Sequence, residues 1–142
     1  MSPELEAAVR AVEASETRGL RPSRHLARPV LILIGEGLLS ERPAGADDAL
    51  VRLGRLSPPL RQAFAEAVRD ELSMACTEHI RSVDPRYLDH PDYDFEYTVS
   101  ARRRLEARLR AAERLGVLPD ESVMSGVRRS DALLEAQLRA RK

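Results

Sequence analysis

One pattern constrains this chain more than any other. Between Pro58 and Val83, Leu60, Phe64, Val68, Leu72, Ala75, His79 and Val83 recur at steps of three or four. Such spacing stacks the residues on one face of an α-helix, whereas a strand would alternate them every second position. Ser57 precedes the run as an N-cap and Pro58 takes the first helical position, where its missing N–H costs nothing. Asp84-Pro85 ends it, because the residue before a proline is pushed out of the helical region. The spacing predicts a helix from about Pro58 to about Ser82.

A helix of this length needs other helices to bury its apolar face. The composition agrees: 4% of residues are aromatic against 43% hydrophobic overall, so the core must be built mainly of Leu, Val and Ala. Ala and Leu favour helices, whereas strands select β-branched and aromatic side chains. At 142 residues, the chain suits a single helical domain over 1–142 with a core large enough to fold without staples.

The remaining segments follow suit. Ser2 and Pro3 read as a cap and first turn, with Leu5, Ala8, Val9 and Val12 on one face, and Gly19 and Pro22 close that element. From Leu26 to Leu39 almost no polar face remains, which predicts a helix buried all round and starting near Pro29. A short buried strand at Val30–Ile34, ended by Gly35, is the competing reading. Asp47 is a candidate cap for a short helix that ends at Gly54. A long helix is expected from Pro91 to Leu115, on the steps Tyr93, Tyr97, Ala101, Leu105, Leu109 and Ala112. Alternation of Tyr93, Phe95, Tyr97 and Val99 offers a strand over 93–99 instead. In the helical reading Asp92, Asp94 and Glu96 fall in the first turns, where the helix dipole favours anions. A last helix follows Pro119, with Gly126 as a candidate break and Val123, Val127, Leu134 and Leu138 as its stripe. The fold class expected is all-α, a compact bundle of five to six helices.

Charge and cysteine content narrow the function classes. There are 23 basic and 23 acidic residues, so no whole-molecule field would draw in nucleic acid or an anionic membrane. Arginine supplies 22 of the 23 bases and Asn is absent, as the codons of a GC-rich, bacterial genome would give. The single Cys76 cannot form an internal disulfide. The acidic start MSPELEAAVRAVEASE lacks the features of a secretory signal, and the apolar run at 30–39 is too short to span a bilayer. A soluble cytoplasmic protein is expected, with no membrane partner.

Chemistry-bearing residues concentrate in EHIRSVDPRYLDHPDYDFEY, from Glu78 to Tyr97, which holds two of three histidines, four of five aromatic residues and six carboxylates. His79, His90, Glu71 and Asp84 are the right ligand types for Zn²⁺ or Fe²⁺, and a metal-dependent helical-bundle enzyme is one alternative. No recognised ligand spacing supports it: HExxH and Glu-x-x-His are both absent. Cys76 and His79 lie one turn apart, yet a thiol beside Ala75, Leu72 and Met74 reads as a small buried hydrophobe. No glycine-rich phosphate loop or dinucleotide fingerprint occurs, and no cofactor is predicted.

A second alternative is nucleic-acid binding through the Arg-rich helix 102–114. A helix-turn-helix with Gly54 in its turn can be drawn across 47–68, but its second helix continues with Glu66, Asp70 and Glu71 expected on the surface. No basic recognition helix follows it. Counterion release from a neutral chain is small, so nucleic acid is an unlikely partner. The third reading is protein association. Tyr and Arg are enriched at interfaces, and Tyr87, Tyr93, Phe95 and Tyr97 cluster in a chain otherwise nearly free of aromatics. With Arg102, Arg103 and Arg104 as a charged rim, they form the expected contact set for a homo-oligomer or an accessory subunit of a larger complex.

Overall fold

The computed structural model describes residues 1–84, 86 and 94–140. Among these residues there are six helices and no strands: α1 (Pro3–Thr17), α2 (Arg24–Leu39), α3 (Ala44–Gly54), α4 (Pro58–Ser82), α5 (Phe95–Arg114) and α6 (Glu121–Ala140). The helical reading of Val30–Ile34 therefore holds, and 95–99 is helical too. The chain forms two compact units. Unit 1 comprises Met1–Leu72 and Glu106–Leu118, and unit 2 comprises Ser73–Leu105 and Pro119–Lys142.

In unit 1, α1, α2 and α3 pack against one another. Their contact follows from the stripes. Leu5, Ala8, Val9 and Val12 are buried on α1, and Ala46, Ala49 and Leu53 on α3. On α2 the buried set is Ala27, Val30, Leu31, Ile34 and Gly35, which is a single helical face. The all-round burial expected there is only partial: Ile32, Leu33 and Leu38 are half-buried, while Glu36 and Leu39 are exposed. Phe64, Val68 and Leu72 of α4 and Ala111 and Ala112 of α5 complete this core. Arg52 of α3 bridges Glu6 and Glu13 of α1 across its rim.

Helix ends obey local chemistry, with three departures from expectation. The Ser2 hydroxyl accepts from the Leu5 N–H at 3.2 Å, as an N-cap should. Gly19 and Gly116 take positive φ (63° and 78°) just past α1 and α5, where a residue without Cβ closes a helix cheaply. The first departure is α2, which begins five residues before Pro29, with Ser23 in the cap position. Pro29 then lies inside the helix with its side chain exposed, where it removes one ladder donor at a cost to the helix. The second is Asp47, which does not cap α3. That helix starts at Ala44, and Asp47 sits in its first turn, paired with Arg114 at 3.0 Å. The third is Asp94, which lies just outside α5. Its carboxylate accepts from the Tyr97 N–H at 3.1 Å, so it acts as the cap, with Glu96 in the first turn. The expected start at Pro91 lies outside the described residues.

Unit 2 has its own apolar centre. Val83 and Leu134 are buried, with Phe95 and Val99 packed against them. α6 is continuous through Gly126, so the expected break is absent. A Cβ there would lie 2.7 Å from Ile80 Cδ1, so the glycine lets α6 approach Ile80 closely. No helix among the described residues is long and apolar enough to cross a membrane.

Candidate functional site

The polar centre of unit 2 is built by three helices. His79 follows from α4's apolar stripe, one turn after the fully buried Cys76. Asp131 sits on α6 one turn after the buried Val127, at the edge of the stripe that continues to Leu134. Arg102 sits on α5, one turn after Val99. All three reach one point. Arg102 Nε donates to Asp131 Oδ1 at 2.7 Å and its Nη2 donates to Oδ2 at 2.8 Å, a two-pronged pair matched to the carboxylate. His79 Nε2 lies 3.0 Å from the same Oδ1.

An ionised carboxylate only accepts, so His79 Nε2 carries the hydrogen in this contact. His79 Nδ1 is buried and has no hydrogen-bond partner among the described residues. The imidazole is therefore set up to be neutral, with 4% of the residue exposed. Burial pushes its pKa below the ordinary histidine value, outweighing the opposite pull of Asp131. Burial alone would raise the Asp131 carboxyl, but the Arg102 pair, helped by His79, outweighs it and holds the group below the usual carboxylate range. Burial also raises the Cys76 thiol, against the pull of Arg102. A protonated, fully buried thiol is an inert core group rather than a nucleophile.

Of the four metal-type residues, the three described ones each have a partner of their own. Glu71, expected on the surface, is 3% exposed and belongs to unit 1, where it pairs with Arg24 at 3.4 Å and Arg28 at 3.8 Å. It is buried because α4's buried face is broad enough to take in position 71 beside Val68 and Leu72. Asp84 accepts from the backbone and guanidinium of Arg86. His79 is taken by Asp131, and His90 lies outside the described residues. Among the described residues there is no group of three or more His, Cys, Asp or Glu able to hold a metal ion.

The aromatic and arginine set divides as well. Tyr87 and Tyr93 lie outside the described residues. Phe95 is half-buried against the Val83–Leu134 cluster. Arg102, read from sequence as a rim residue beside Arg103 and Arg104, turns inward to Asp131 instead, because position 102 falls on the flank of α5's buried side. Arg103 and Arg104 are exposed. Tyr97 is 63% exposed, and the Arg104 guanidinium lies over its ring, 5.8 Å from the centroid. Farther along α5, Arg110 pairs with Glu106 and Arg114 with Asp47.

Asp131 was not singled out by sequence reasoning. The only signal available was a carboxylate one turn from a buried valine in the last helix. No protein-family model, curated protein or solved structure matches the chain.

Proposed function

We propose that this chain is a protein-binding module, working in the cytoplasm as a homo-oligomer or as an accessory subunit. Its contact face is the exposed side of α5 around Tyr97, Arg103 and Arg104. The observation that carries the reading is Tyr97. It is a large aromatic left mostly in water, held from one side by Arg104. Tyr and Arg are the side chains that most often anchor interfaces, since a rigid ring and a planar guanidinium bury much area at little entropic cost. Exposed apolar side chains on the same unit support it: Met74, Leu133 and Leu138 are left in water too. Arg103 and Arg104 have no carboxylate partner among the described residues, in contrast to Arg86, Arg102, Arg128 and Arg139 of the same unit. They are available to a partner's acids.

Sedimentation velocity across the micromolar range, alone and with proteins that co-purify from the native host, measures this. The expected result is a mass above the 15.9 kDa monomer, or a defined complex, that weakens about tenfold or more in Tyr97→Ala. A strict monomer with no stoichiometric partner overturns the reading.

A further inference from the structure

The buried His79 is a titratable group for which the binding face has no use. From α6 it is faced by Asp131, from α5 by Arg102, and on α4 by the Cys76 thiol one turn back. Arg102 and Asp131 already cancel each other's charge. The Nε2–H bond to Oδ1 is already made by the neutral ring. A second proton would therefore enter at Nδ1, where nothing among the described residues accepts it, and would leave a net positive charge inside the unit. A buried charge without a counter-charge, and a buried donor without an acceptor, are both costly. α6 packs in this unit through Val127, Ser130 and Leu134, on the same side as Asp131, so a charge at His79 bears directly on that packing.

We propose that unit 2 opens on mild acidification, because the buried charge and the unaccepted Nδ1–H of a protonated His79 are relieved when α6 loosens from α4 and α5. The sign follows from the geometry. A histidine in an unfolded chain titrates near pH ~6.5, and the folded chain takes up its proton at lower pH. The stabilisation is complete above that unfolded value and is lost as pH falls through the folded one. Asp131 and Asp84 are both held low, so their contributions fade only below about pH 4. Of these three groups, His79 is the one that titrates in the window between.

Two measurements on the full chain test this. An NMR pH titration of the His79 ring should give a midpoint below that of a histidine in an unstructured peptide. Hydrogen-exchange protection factors should fall in α6 between neutral pH and pH ~5, while those of α1 hold. His79→Gln, which keeps an N–H donor but cannot titrate, should abolish that fall. A His79 midpoint at or above the peptide value overturns the proposal. So does α6 protection that is unchanged over the window, or that falls equally in His79→Gln. Should His79→Gln fail to fold, the ring titration of the unmodified chain still decides.

Discussion

Gly35→Ala is expected to destabilise unit 1 by about 3 kcal/mol, lowering the thermal midpoint by roughly 10 °C. A Cβ at Gly35 would lie 2.4 Å from the carbonyl oxygen of Ala107 and 2.6 Å from its carbonyl carbon. The obstacle is backbone, which cannot rotate aside as a side chain would. Ordinarily Gly→Ala inside a helix stabilises by about 1 kcal/mol, so the clash must overcome that gain before any loss appears. Gly54→Ala supplies the control. Gly54 lies at the end of α3 with nothing within 4 Å of its added Cβ, and its φ is not positive. The same chemical change there should raise stability by about 0.5–1 kcal/mol. Opposite signs in a denaturant titration check the close approach of α2 to the 106–118 segment. Equal signs would remove it.

The second large effect is expected at the other unit. Asp131→Ala should cost about 3 kcal/mol. It strands two donors at once: the half-buried guanidinium of Arg102 and the buried Nε2–H of His79. Partial exposure of Asp131 and Arg102 lets water soften the loss, which keeps it at the lower end of what breaking a buried pair costs. Asp131→Asn, which keeps an acceptor but no charge, should fall between. In a double-mutant cycle with Arg102→Ala, measured by urea unfolding, the coupling should be about 1 kcal/mol or more. Additive losses would mean that the two side chains act separately.

These two sites mark what could and could not be read in advance. The stripes of α1 and α4 were legible because helix periodicity is a local property, and Leu60, Phe64, Val68 and Leu72 carry it unbroken. The ends were less so. At α2, Ser23 and Pro29 both satisfy start rules, and burial of Ala27 on the same face as Val30 and Leu31 decides for the earlier one. Asp47 and Asp94 exchanged expectations for a similar reason: either carboxylate can cap or complement a dipole, and tertiary packing selects. His79 was readable as a histidine at the core margin, since it falls on α4's apolar face. Its partners were not. Asp131 is 52 residues away and Arg102 is 29 residues from Asp131, and no local rule links such distances. Arg102 looked identical to Arg103 and Arg104 in sequence. Only its angular position on α5 separates the inward arginine from the exposed pair.

The contact face of α5 is tested most directly by placing a photo-crosslinking residue at position 97 and, separately, at the exposed Leu20 of unit 1, then irradiating both in native-host extract and as purified protein. A discrete crosslinked species is predicted from position 97, to a second copy or to one partner. It should be lost when Arg104→Glu is added, with nothing comparable from position 20. Absence of a discrete product at 97, or equal products at both positions, would contradict it.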